Sequence, residues 1–228
     1  MGCLRNGAVP LVAPRVGAAL GFLAGYVDTL CFIGLFGLFT AHVTGNFVLI
    51  GRALVQPSDE ILLKLLVFPV FVLGVAATRV LVLRWRAGGQ PALRFCLLLQ
   101  LALLVCGMAL GWLGAPLTRA GHVLSLSTGM LCAAAMAVQN AAGKLLMGRS
   151  AATTVMTGNV TQLVIELVDV LHGDATARVR CAALLWPVLA FAAGAMAGAL
   201  AFMRFGFGGL LLPCAVLVWL ALRVAEPA

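Results

Sequence analysis

Residues 95–113 read Phe-Cys-Leu-Leu-Leu-Gln-Leu-Ala-Leu-Leu-Val-Cys-Gly-Met-Ala-Leu-Gly-Trp-Leu, without a single charge. As an α-helix this run is about 28 Å long, close to the hydrocarbon thickness of a bilayer, about 30 Å. It is representative of the chain. Of 228 residues, 63% are apolar and 10% charged, whereas soluble domains carry about a quarter charged residues. Disordered chains, disulfide scaffolds and ordinary soluble enzymes are thereby excluded. A polytopic all-α membrane protein remains, because helices satisfy their own backbone polar groups in lipid.

Outward from that run, apolar segments fall at about 16–36, 40–56, 61–83, 95–114, 121–146, 151–171, 181–203 and 205–222. Short polar links separate them, such as Pro57-Ser58-Asp59-Glu60 and His172-Gly173-Asp174. No linker divides soluble domains, so 1–228 reads as one membrane domain. The first run contains Asp28 and lacks a convincing cleavage site, so it reads as a retained span. The seven cysteines show no metal or CxxC spacing and read as packing residues, with no metal or cofactor expected. The net charge of +8 is scattered at the ends of apolar runs. Without a clustered basic face, nucleic acid is not an expected partner.

Two triplets break the apolar pattern. Thr44-Gly45-Asn46 and Thr157-Gly158-Asn159 stand 113 residues apart, about half the chain. An offset of 112 superposes Gly21, Gly25 and Asp28 on Ala133, Ala137 and Asn140. Small residues at spacing four let another helix approach closely, and each polar residue follows on that face. Phe68-Pro69 and Trp186-Pro187 are a further approximate match. These correspondences predict an internal repeat, about 16–114 and 121–223.

Charge separates two topologies. If all eight segments cross, cations divide eight against seven between the two sides. If the Thr-Gly-Asn segments enter and return, one side holds Arg5, Arg15, Arg79, Arg84, Arg86, Arg94, Lys144, Arg149, Arg178, Arg180 and Arg223. The other keeps Arg52, Lys64, Arg119 and Arg204. Eleven against four is the bias of a cytoplasmic face. The expectation is six transmembrane helices plus two re-entrant or broken ones, with inverted halves and both termini cytoplasmic. Segment six is long enough to span, so length alone excludes neither topology.

A helix starting inside the membrane exposes backbone N–H groups, and Thr44 or Asn46, with Thr157 or Asn159, are suitable caps. Two such ends meeting near the midplane would favour an anion or a strongly polar solute. Two readings stand for Asp28: proton coupling or solute binding, and a structural hydrogen bond to a neighbouring helix. His42 reads as a titratable group near the site or an ordinary interfacial histidine. Gln139 and Asn140 occupy one end of segment five with Lys144, which snorkels to the surface. Asn159, Gln162 and Glu166 share a helix face; it lines a polar path, or Glu166 marks the helix end.

The combination Gly25-Tyr26-Val27-Asp28, His42-Val43-Thr44-Gly45-Asn46, Gln139-Asn140 and Thr153-Thr154-Val155-Met156-Thr157-Gly158-Asn159 resembles the YoaK-like family of bacterial membrane proteins, a domain family of unassigned function. The similarity covers nearly the whole chain. It implies one such domain in a bacterial inner membrane and brings no substrate or mechanism. The residues themselves favour passage of a small polar or anionic solute through a bilayer-embedded protein. An intramembrane enzyme on a lipid-linked substrate, with Asp28 and His42 as acid and base, is the rival, although no catalytic signature stands out. An adaptor without solute is the third reading. A homo-oligomer is compatible with all three.

Overall fold

The computed structural model describes residues 14–147 and 156–224. Eight α-helices follow in order: α1 (Pro14–Gly34), α2 (Gly45–Val55), α3 (Ile61–Ala87), α4 (Ala92–Leu113), α5 (Val123–Leu146), α6 (Met156–Leu171), α7 (Ala177–Phe205) and α8 (Leu211–Arg223). A 3-10 segment, η1 (Gly206–Leu210), joins the last two. Gly206, at φ 55°, ends α7 in a conformation that side-chain-bearing residues rarely adopt. Arg15–Gly34, Ile61–Ala87, Ala92–Leu113, Val123–Leu146 and Ala177–Arg223 are long and apolar enough to cross a membrane. The last of these contains both final segments of the sequence reading.

Close approaches fix the helix directions. Gly21 faces the Pro187 carbonyl and Gly25 that of Phe191, while Gly34 lies against Phe202, so α1 and α7 run parallel. Gly194 and Gly198 return the contact against the carbonyls of Phe22 and Tyr26. The two backbones touch along a seam with no room for a methyl group. In the same way Gly129 meets Leu63 and Gly74 meets Ala137, so α3 and α5 are parallel to each other. Gly129 also touches Leu35, whereas Gln139 bonds the Leu20 carbonyl, which makes α5 antiparallel to α1.

The remaining helices close the bundle. Gly107 against Cys132 and Gly114 against Leu124 set α4 antiparallel to α5. Phe207 lies over both Gly34 and Gly111, and α8 turns back along α4 from there. Tyr26 Oη donates to the Gly209 carbonyl at 2.8 Å and ties α1 to the 3-10 segment.

The cations then sort by end of the bundle. Arg15, Arg79, Arg84, Arg86, Arg94, Lys144, Arg178, Arg180 and Arg223 gather at or toward the end where α1 starts. Arg52, Lys64, Arg119 and Arg204 lie toward the end where it finishes. Arg5 and Arg149 fall outside the described residues.

Candidate functional site

Past Gly34 the chain reverses through Phe36 and Gly37, at φ 55° and 75°. It then descends beside α1 to the level of Asp28, about 9 Å below the helix end at 1.5 Å per residue. Asp28 is 4% exposed, yet its carboxylate is well supplied with donors. Oδ1 accepts the backbone N–H groups of Thr40 and Ala41, each at 2.7 Å, and Oδ2 that of His42 at 3.3 Å. The Thr40 hydroxyl adds a longer contact of 3.4 Å. A carboxylate buried among apolar helices persists only with such compensation.

Asn46, fully buried, fixes the same loop from the other side. Its Oδ1 accepts from Phe39 N at 3.1 Å, and its Nδ2 donates to the carbonyls of Phe39 and Val43 at 2.8 and 3.1 Å. Of the two residues suited to cap this helix, Thr44 or Asn46, Thr44 sits at the N-cap position with helical backbone angles and no side-chain capping bond. The amides of Gly45, Asn46 and Phe47 instead bond the carbonyls of His42, Val43 and Thr44. The first turn of α2 therefore satisfies itself. The amides that meet a carboxylate here are those of residues 40–42, just before the helix start, and the carboxylate is that of Asp28.

From Asn46, α2 climbs back along α3. Phe47 stacks on Phe68 with ring centroids 4.0 Å apart. Only residues 56–60 link the end of α2 to the start of α3. Lys64, in the first turn of α3 and 3% exposed, donates from Nζ to the Phe36 carbonyl at 2.9 Å and pairs with Glu60. The end of α1 and the start of α3 are thus pinned together, and the segment between them starts and finishes at one end of the bundle. Sequence reasoning treated Lys64 only as a loop cation. A lysine one turn after a Glu, beside an apolar run, was the available signal for a buried clamp.

In the second half, Gln139 is buried and joins three helices. Its Nε2 donates to the Leu20 carbonyl at 2.8 Å, and its Oε1 accepts from Gln100 Nε2 at 2.7 Å. Gln100, a lone amide inside the uncharged run of α4, is a member of the polar centre that the sequence reading missed. Asn140, beside it, is half-buried. Asn159 is buried and donates from Nδ2 to Met156 Sδ at 3.8 Å, whereas Thr157 and Gly158 are exposed. Thr44 is exposed too, and His42 and Gly45 are half-buried, so both triplets turn Asn inward and Thr outward. Thr153, Thr154 and Val155 lie outside the described residues.

Gln162 donates to Glu166 at 2.8 Å, and the other Glu166 oxygen takes Arg180 Nε at 2.7 Å. Gln162 and Glu166 are therefore turned toward Arg180 in the first turn of α7, while α6 itself continues to Leu171. Asp174, in the link between these helices, accepts from the Thr176 hydroxyl and from Arg180. Those donors, Thr176 first, lower its carboxyl to about 2.

The two helix starts do not share one depth. Glu166 beside Arg180 places Asn159, two turns earlier, near Pro187, which faces Gly21. Asp28 stands seven residues further along α1, about 10 Å at 1.5 Å per residue. The two polar centres flank the middle of α1 rather than merging into one.

Residues 16–223 match the family described as "Protein of unknown function (DUF1275)", and the chain belongs to that family. No curated protein and no solved structure matches it.

Proposed function

We propose that this member of the DUF1275 family passes a small polar or anionic solute across the bacterial inner membrane. The carrying observation is the pair of Thr-Gly-Asn helix starts, each with its Asn buried and its Thr left exposed. Irregular backbone at membrane depth is tolerated where it is buried in protein or lines a water-filled cavity. In this reading Asn46, Asn159 and Asp28 hold the helix starts. Thr44, Gly45, Thr157 and Gly158 face the solute, with His42, Gln139 and Asn140 around them. Gln162 and Glu166 line the approach from the cation-rich end.

The topology in this reading has six crossings, α1, α3, α4, α5, α7 and α8, with α2 and α6 re-entrant. The direct contact between the end of α1 and the start of α3 supports it. Inverted halves are supported by reciprocal packing: α1 on α7 and α5 on α3 each join the first helix of one half to the third of the other. The polar centres also lie about equally far from the middle of α1. Broken helices related by an inverted repeat recur in transporters. In this reading the cation-rich end faces the cytoplasm, as the positive-inside rule favours, and both termini lie on that side.

The test is solute uptake into vesicles holding the purified chain, after a thermal-shift screen identifies the solute. Asn46→Ala and Asn159→Ala each reduce uptake if both starts form the route; unchanged uptake in both removes this reading. Single cysteines at 15, 52 and 119 report topology. Labelling of 52 from the same side as 119, opposite 15, is expected; labelling of 52 from the side of 15 overturns the re-entrant arrangement.

A further inference from the structure

The α3–α4 hairpin carries charge that nothing among the described residues neutralises. Arg79, Arg84, Arg86 and Arg94 are all exposed, and none makes an ion pair among the described residues. No Asp or Glu occurs between Glu60 and Glu166. Arg180, at the same end of the bundle, is by contrast held by both Glu166 and Asp174. A topological signal alone needs cations in the loop. It does not need one on the lipid-facing side of a helix two turns before its end.

Arg79 is such a residue. It stands 18 residues after Ile61, about 27 Å along α3, at the far edge of a hydrocarbon core of about 30 Å. Arg86 follows it by seven, on the same face, within the final turn of the helix. Val72 and Leu83 are exposed on that face as well. Trp85 and Phe95 stack with centroids 5.3 Å apart and hold the start of α4 against the end of α3, which brings Arg94 alongside.

We propose that this hairpin binds an anionic phospholipid, its phosphate between Arg79 and Arg86, beside Leu83, and its acyl chains on Val72 below them. A guanidinium at the edge of the hydrocarbon lacks full hydration and gains most from a phosphate, which its planar fork engages through two N–H groups. Arg84 and Arg94 add long-range attraction for the negative headgroup. The exposed Val72, below the arginines on the same face, selects a lipid over a free anion. The site is independent of the transport reading.

The test uses the full chain in phosphatidylcholine nanodiscs with or without phosphatidylglycerol, read by thermal unfolding and by native mass spectrometry of retained lipid. Phosphatidylglycerol should raise the melting temperature and be retained selectively. In Arg79→Gln/Arg86→Gln the shift should disappear and binding weaken about thirtyfold. Arg119→Gln/Arg204→Gln, at the opposite end, should behave as the parent. Should the first double variant fail to fold, Arg86→Gln alone should weaken binding about fivefold. No preference for phosphatidylglycerol, equal retention in the hairpin variants, equal loss in both double variants, or the same shift with inorganic phosphate would each overturn the proposal.

Discussion

Asp28, in the body of α1, accepts the backbone N–H of Ala41 at 2.7 Å across 13 residues of chain. That bond and its neighbour from Thr40 hold an irregular segment inside a helical bundle. The carboxylate is spent on the protein's own amides. Asp28→Ala should leave three N–H groups without their acceptor, at about 1–3 kcal/mol each. Asp28→Asn retains one oxygen for the Thr40 and Ala41 amides and should lose under about 1.5 kcal/mol. Unfolding in detergent ranks the two. An Asn variant as unstable as the Ala variant would mean that charge, not acceptor geometry, holds the loop.

The α1–α7 seam makes a sharper steric prediction. A methyl group on Gly25 would lie 2.1 Å from the Phe191 carbonyl oxygen, and one on Gly198 2.3 Å from that of Tyr26. Gly25→Ala and Gly198→Ala should each cost up to about 3 kcal/mol, because two backbones must separate. At Gly51 in α2 nothing lies within 4 Å. Gly51→Ala should therefore stabilise by about 0.5–1 kcal/mol through helix propensity. Melting temperatures of the three variants should move in opposite directions.

The glutamine pair should behave as a unit. Gln139→Leu removes the acceptor of Gln100 Nε2, in a site where both residues are buried. The single variant should lose about 1–3 kcal/mol. Replacing both by Leu should cost less than the two single changes together, with a coupling of about 1 kcal/mol. A coupling near zero in the double-mutant cycle would dissolve the contact.

Acid should act at the α6–α7 link. The Asp174 carboxyl lies below its ordinary 3.8, at about 2, because Thr176 and Arg180 donate to its charged form. A depressed acid contributes stability above its unfolded value and loses it as pH falls through the folded one. The parent and Asp174→Asn should therefore differ in stability at neutral pH, and the difference should fade between about pH 4 and 2. A difference that stays constant down to pH 2 would show that the charged form is not what the turn holds.

Hydropathy, loop cations and the paired triplets were legible because each depends on residue type at a fixed spacing. A long uncharged apolar run has few solutions other than a helix in lipid. Sequence alone therefore determined the all-helical membrane architecture and the places where the helices are interrupted. The cation pattern also carries an expectation of which helix ends lie together, and the proposed topology rests on it.

Only the tertiary structure decided what the polar residues touch. Thr44 looked like a cap by position, yet the start of α2 uses its own carbonyls and Asn46 ties the loop. Asp28 admitted both a solute role and a structural hydrogen bond, and the segment 40–42 folds back against it. Gln100 carried no signal of its role until α4 was laid against α5. In each case the partner is set by which helix packs alongside and at what height. Hydrogen bonds reach about 3 Å, so a shift of one helical turn would rewrite every one of them while leaving the sequence pattern unchanged.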